Sequence, residues 1–221
     1  MKYDEIAILI PSFNPSKKLI KVVDLLHKNG FNNIFVVDDG SVKKDAFSKM
    51  NVSKIIVNDK NMGKGFSLKK GFKYLSNLNY LGIITIDDDL QHDISDIVKI
   101  ADLFLECNGV YFGVRDFNGA PILRRFANKM SSFFFKLLYG VNVSDTQTGL
   151  RCFPNSIIND LICISGDRFE YEMNVLKYLV NNKIEINEVL IKTIYNDNKS
   201  HYSSIKDSYR ILKVMFDKKR F

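Results

Sequence analysis

Apolar residues recur along the first half of the chain in two alternating rhythms. Ile6–Ile10 is a continuous β-branched and aliphatic run, the pattern of a strand buried on both faces. Leu19, Ile20, Val23 and Leu26 then recur at helical spacing up to Gly30, a natural stop. The same alternation continues with strands at Ile34–Val37, Lys54–Val57, Leu81–Ile86 and Val110–Val114. Helices are predicted at Phe66–Leu78 and from Ile94 to Leu105, where Ile94, Ile97, Val98, Ala101 and Phe104 mark one face. Strands alternating with helices predict an α/β fold with a doubly wound, mostly parallel sheet and right-handed crossovers.

The second half has a different texture. Pro121 is suited to open a helix, along which Ile122, Leu123, Phe126, Met130, Phe133, Phe134 and Leu137 form the apolar face, with Gly140 as its cap. Arg124, Asn128 and Ser131 or Ser132 fall on the opposite side, with Arg125 and Lys129. A loop at Asp145-Thr146-Gln147-Thr148-Gly149 precedes a helix at Phe169–Val180 and a strand at Glu185–Ile194. From Ser204 the tail reads as a basic amphipathic helix. With 221 residues, 46% of them hydrophobic, and no repeat or linker, the chain is read as one domain, 1–221.

Charge and cysteine usage narrow the function classes. The net charge of +7 favours anionic partners, and no RNA-binding aromatic signature or helix-turn-helix supports nucleic acid among them. No apolar run reaches the ~18–20 residues needed to cross a bilayer. Met1-Lys2-Tyr3-Asp4-Glu5 lacks a signal-peptide pattern, and Cys107, Cys152 and Cys163 suggest neither a disulfide frame nor a zinc site. A cytoplasmic location is expected, with any membrane contact peripheral. Phe133-Phe134-Phe135 and its flanking cations could touch anionic lipid, and Lys213–Arg220 could add a second contact. The favoured expectation is that most of these aromatics pack onto the sheet.

In doubly wound sheets, ligands bind at the carboxyl ends of the strands. Those ends read Pro11-Ser12-Phe13-Asn14-Pro15, Asp38-Asp39-Gly40-Ser41, Asp87-Asp88-Asp89 and Gly113-Val114-Arg115. Three consecutive carboxylates after a buried strand repel one another, and a hard cation such as Mg²⁺ or Mn²⁺ relieves that repulsion through oxygen ligands. Along an extended chain Asp87, Asp89 and Gln91 point the same way, offering a metal three oxygens. Asp88 faces away, Asp93 is expected to cap the following helix, and His92 is expected to face solvent. Asn61-Met62-Gly63-Lys64-Gly65 suggests a phosphate-facing helix start but lacks the order of an ATPase P-loop.

Taken in order, Ile10–Asn14, Val37–Ser41, Asn61–Gly65 and Asp87–His92 resemble the family 2 inverting glycosyltransferases of GT-A fold. The likeness is greatest to the dolichyl- or polyprenyl-phosphate hexose synthases. Gly113-Val114-Arg115, Arg124 with Asn128, Asp145–Arg151 and Arg168–Glu172 extend the likeness over nearly the whole chain.

The resemblance implies a nucleotide-sugar half at 1–115, an acceptor half at 116–203 and a C-terminal helix at 204–221. Pro11, Phe13, Asn14, Val37, Asp39, Lys64, Asp87, Asp88, Asp89 and Arg115 would bind the donor. This chain has Asn14-Pro15 where the family usually has Asn-Glu. Asp87, Asp89 and Gln91 would hold Mg²⁺ or Mn²⁺, and Arg124, Asn128, Asp145, Gln147 and Glu170 would bind the acceptor. Catalysis would rest on Asp89, Arg115 and Asp145. The implied reaction moves a hexose from a UDP- or GDP-sugar to polyprenyl phosphate. Transfer to a sugar hydroxyl, with Asp145, Glu170 or Glu172 as base, and a non-catalytic nucleotide-sugar-binding module are the alternatives. Oligomeric state is left open.

Overall fold

The computed structural model describes residues 2–116, 122–192 and 213–216, and the side chains of all of these except 122, 123, 124 and 127. Seven strands form one sheet: β1 (Ile6–Ser12), β2 (Ile34–Asp38), β3 (Lys54–Val57), β4 (Gly82–Thr85), β5 (Val110–Arg115), β6 (Arg151–Pro154) and β7 (Ile186–Ile191). Their spatial order is β3-β2-β1-β4-β6-β5-β7. Every pairing is parallel except those of β6, which runs antiparallel to both β4 and β5.

β1 is buried along its whole length, which explains its unbroken apolar run. Its residues alternate between two cores. Ile6, Ile8 and Ile10 pack with α1 (Lys17–Lys28) and α3 (Ile94–Glu106). Ala7 and Leu9 face α2 (Lys64–Leu75), α5 (Ile158–Cys163) and α6 (Glu170–Asn181). α4 (Ile122–Tyr139) joins that second layer through Phe135, which is fully buried.

Most predicted elements are present within a few residues of their expected ends. Ser16 caps α1, and Asp93 caps α3 by accepting from the Ser95 amide at 2.8 Å, as expected of it. Two elements, β6 and α5, have no counterpart in the periodicity of the sequence. Four-residue β6 sits between β4 and β5, a position in which sequence alternation carries little signal.

The α4 expectation is corrected in orientation. Phe126, Met130, Phe133 and Leu137, expected to face the sheet, are exposed, whereas Asn128, Ser131 and Phe135 face inward. The polar residues can do so because the 144–146 loop satisfies them. Asn128 donates to the Ser144 carbonyl at 2.9 Å, and the Ser131 and Thr146 hydroxyls share a 2.7 Å bond. The C-terminal helix expected at 204–221 lies outside the described residues except for 213–216, a helical stretch. There Met215 is buried, and its carbonyl accepts from the Tyr139 hydroxyl at 2.9 Å. That stretch is therefore packed against the core. Among the described residues no helix is long and apolar enough to cross a membrane.

Candidate active site at the strand ends

Between β1 and β4 the strand order reverses direction, leaving a crevice at their carboxyl ends. Ser12 ends β1, and its hydroxyl donates across this crevice to the Asp88 carboxylate. Asp88 thus has a structural duty that its place in the acid cluster did not announce. Pro11 lies opposite Val37 in the β1–β2 register, with Phe13 half-buried just beyond. Asn14 takes a left-handed backbone (φ +50°) and staples the neighbouring loop. Its amide donates to Ser41 Oγ at 2.7 Å, and its Oδ1 accepts from the Val42 amide at 3.0 Å.

Asp38 and Asp39, adjacent in sequence, serve two different loops. Asp38 closes its own turn, accepting from the Ser41 amide at 2.8 Å. Asp39 is buried and accepts from Asn58 Nδ2 (2.8 Å), the Met62 amide (2.9 Å) and the Gly63 amide (2.8 Å). Its carboxylate therefore ties the end of β2 to the glycine loop that opens α2. Gly63 has φ +106°, and a Cβ there would strike the Asp167 carbonyl. The loop is held between the Asp39 carboxylate and the 167–168 segment, which fixes where Lys64 begins its helix.

Lys64 is the cation at the centre of the acid cluster. Its Nζ lies 2.7 Å from Asp87 Oδ1 and 3.0 Å from Glu172 Oε1 on α6. Burial opposes the ammonium charge, but the two carboxylates outweigh it and hold the Lys64 pKa above its ordinary value. Burial likewise opposes the Asp87 charge, yet Lys64 and His92 hold that carboxyl well below the usual range. Asp89 goes the other way: burial, then the charge of Asp87, push its carboxyl up. Two neighbouring carboxyls are thus shifted in opposite directions, a perturbation of the kind found at functional clefts.

The metal expectation is sharpened by this geometry. β4 stops at Thr85 and Leu90 turns left-handed (φ +62°), so Asp87, Asp89 and Gln91 do not alternate along an extended chain as expected. Asp89 Oδ1 instead turns back to accept from the Gln91 amide at 3.0 Å. His92 is corrected as well: its ring is 7% exposed, 3.6 Å from Asp87 Oδ2, with neither nitrogen hydrogen-bonded. Among the described residues no three His, Cys, Asp or Glu side chains converge as a ligand set. Two oxygen-bearing carboxylates fit a hard ion that completes its shell with substrate phosphates and water, rather than one held in an all-protein cage. The donor set itself, the Asp87 and Asp89 carboxylates just beyond the end of β4, is what favours such an ion.

Gly149 makes room for this arrangement. The β4–β6 register pairs Thr85 with Arg151, and two residues further on Asp87 stands across from Gly149. A Cβ at Gly149 would collide with the Asp87 carboxylate. The glycine was visible in sequence, but its purpose depends on antiparallel β6, which was not.

The acceptor-side residues are heavily committed to one another. Arg115, at the end of β5, grips Asp145 with Nε at 2.6 Å from Oδ2 and Nη2 at 3.0 Å from Oδ1. Burial opposes the guanidinium charge, and Asp145 more than restores it, raising the Arg115 pKa. Asp145 is fully buried, so it does not line an open pocket as expected; the Gln147 amide also donates to it at 3.1 Å, while the Gln147 side chain is exposed. Glu170 Oε1 accepts from the Asp167 and Arg168 amides, a helix-start role, and its buried Oε2 has no hydrogen-bond partner. Arg124 lies on α4, with its side chain outside the described residues. Arg151 has a role that its sequence position alone does not indicate. It is buried and donates to the Thr148, Glu172 and Thr146 carbonyls, joining the 145–149 loop to α6.

The chain is similar in sequence and in shape to known proteins. The chain is 30% identical to a UDP-N-acetylglucosamine–dolichyl-phosphate N-acetylglucosaminyltransferase of Methanococcus voltae, over 87% of this chain and 86% of that one. It is 24% identical to the glycosyltransferase AglJ of Haloferax volcanii, over 78% of this chain and 58% of that one. Glucosyl-3-phosphoglycerate synthase of Mycobacterium tuberculosis, solved with Mn²⁺, UDP and glucosyl-3-phosphoglycerate, superposes with a TM-score of 0.76. That match has 13% identity and covers 95% of this chain and 78% of the synthase, so it speaks to the GT-A fold alone. The family model "Glycosyl transferase family 2" matches residues 7–163, most of the sheet and the whole acid cluster, and the chain belongs to that family of enzymes.

Proposed function

We propose that this glycosyltransferase moves a hexose from a nucleotide diphosphate sugar, with a UDP-sugar favoured, to polyprenyl phosphate. The carrying observation is Lys64 held between Asp87 and Glu172, with Asp89 two residues beyond Asp87, at the crevice where a doubly wound sheet binds its ligand. The Methanococcus voltae relative, named for UDP-N-acetylglucosamine and dolichyl phosphate, supports the donor and acceptor classes.

In this reading, residues 1–115 form the donor half and 116–203 the acceptor half. Pro11, Phe13 and Val37 flank the base, and Asp39 offers what acceptor capacity its loop bonds leave. Asp87 and Asp89, with Gln91 beside them, would hold Mg²⁺ or Mn²⁺. When bound, such an ion would supply positive charge for the departing diphosphate. Lys64 reaches the same region from the start of α2, where helix N-terminal amides also favour phosphate. Asp145 positions Arg115, whose planar fork suits an anionic oxygen better than an ammonium does. Arg124, Asn128, Gln147 and Glu170 belong to the acceptor side.

A phosphate acceptor is already anionic and needs no strong base, whereas a sugar hydroxyl does. All three candidate bases are engaged: Asp145 by Arg115, Glu172 by Lys64, and Glu170 Oε1 by its own helix start. This favours the phosphate. A sugar-hydroxyl acceptor keeps one supporting feature, the unpartnered Glu170 Oε2.

Product analysis decides between them. UDP- and GDP-sugars are supplied with Mg²⁺ or Mn²⁺ and either dolichyl or undecaprenyl phosphate or a panel of oligosaccharides. Glycolipid is the expected product; transfer only to oligosaccharide would reject the lipid-phosphate reading.

A further inference from the structure

We propose that the outward face of α4 docks this protein onto an anionic lipid bilayer surface. Phe126, Met130, Phe133 and Leu137 recur at helical spacing, and Phe126, Phe133 and Leu137 are 62%, 60% and 69% exposed. At about 100° per residue these four positions fall within a stripe of about 60°. A helix in a globular protein normally turns its most apolar stripe to the core. On α4 the stripe Phe126, Met130, Phe133 and Leu137 faces outward instead, while Asn128, Ser131 and Phe135 face inward and Phe134, Leu138 and Tyr139 pack partly buried against the core.

The patch extends sideways through ring contacts. Phe133 meets Phe134 at 5.7 Å between centroids, and Phe134 meets Phe216, itself half exposed, at 5.7 Å. Along one flank of the stripe, Arg125, Lys129 and Lys136 are exposed, and α4 contains no acidic residue. Aromatic and aliphatic groups bordered by cations match the boundary between anionic headgroups and acyl chains. A second copy of the chain is a poorer occupant. A two-fold interface would set this cationic row against itself, with no carboxylate on α4 to relieve it.

The surface deepens the lipid-acceptor reading and depends on it for its purpose. The inward face of the same helix holds the 144–146 loop, in which Asp145 positions Arg115. One helix would therefore present its outer side to lipid and brace the acceptor machinery with its inner side.

The test is sedimentation with vesicles, without substrate. Vesicles of equal parts phosphatidylcholine and phosphatidylglycerol are compared with phosphatidylcholine alone. The wild type is expected to partition onto the anionic vesicles about tenfold more strongly, with the excess lost at high salt. Phe133→Glu with Leu137→Glu should lower partitioning at least about tenfold, and Lys129→Gln with Lys136→Gln about tenfold, with a weaker salt dependence. All four side chains are outside the core, and circular dichroism checks the fold of each variant.

Absence of wild-type binding, or wild-type binding by the glutamate variant, overturns the proposal. A wild-type dimer that becomes monomeric in the glutamate variant, without vesicle binding, overturns it in favour of self-association. Transfer to a short, water-soluble prenyl phosphate should be equal in the wild type and the glutamate variant. Its failure in the wild type would count against the lipid-phosphate acceptor and would leave the vesicle result standing.

Discussion

α1 and α4 are both amphipathic helices beside the same sheet, and they use their apolar stripes in opposite ways. In α1, Leu19, Val22, Val23 and Leu26 are all buried, and the polar face meets solvent. In α4 the fullest apolar stripe meets solvent, and two polar side chains face inward against a loop. Helical periodicity is equally clear in both. It reports that two faces differ, but which face the core takes depends on what the rest of the chain offers to satisfy each one. For α4 that offer is the 144–146 loop, whose carbonyl and hydroxyl bond Asn128 and Ser131.

The same contrast separates the donor edge from the α4 surface. At the donor edge nearly every polar group answers another: Ser12 with Asp88, Asp39 with the glycine loop, Lys64 with Asp87 and Glu172. Charge there is concentrated, buried and mutually constrained. On α4 the cations are spread along an open flank of a helix that itself carries no acid.

The comparison can be broken by experiment, and the largest effect is expected in turnover. Asp89→Asn removes a carboxylate proposed to meet the ion, and should reduce transfer by about a thousandfold, the scale of several kcal/mol supplied by metal-assisted charge stabilisation. Its melting temperature should be unchanged or higher, because the like-charge neighbour of Asp87 is gone. Equal activity in the variant would remove Asp89 from the proposed site.

Next comes the inward face of α4. Phe135→Ala should cost about 3–4 kcal/mol in chemical denaturation, as expected for emptying a fully buried aromatic site. A cost near zero would show that α4 does not anchor the second core.

Lys64→Met should be smaller, about 2–3 kcal/mol. It leaves Glu172 buried without its cation, but Asp87 is 32% exposed and recovers some hydration. A variant as stable as wild type would mean that Lys64 is held for ligand binding rather than for folding.

The smallest effect belongs to the outward face. Phe133→Ser should change stability by no more than about 0.5 kcal/mol, although the same substitution in a core would be severe. A large loss would show that Phe133 has a packing role not visible in its exposure.

Much of the fold was legible because its strands and helices carry strong periodicity. β1 is an unbroken apolar run, and α3 begins at an Asp93 cap visible in the sequence. The donor edge was legible for a similar reason: charged residues stood where buried strands had to end. Less legible were the partners of those charges. Nothing local in Asp87-Asp88-Asp89 indicates that Asp88 bonds Ser12, that Asp87 shares Lys64 with Glu172, or that Gly149 makes way for the Asp87 carboxylate. Those pairings follow from the β1–β4 and β4–β6 registers, and β6 is too short to announce itself.

The sequence alone determined the strand–helix alternation, the acid cluster at the end of β4 and the cationic balance, because these rest on local periodicity and composition. Only the tertiary structure decided which carboxylate meets which cation, that His92 is buried, and that α4 shows its apolar stripe to the outside. Each of those outcomes depends on hydrogen bonds and packing between segments far apart in the chain, such as the 85 residues from Asp87 to Glu172, and local pattern carries no record of them.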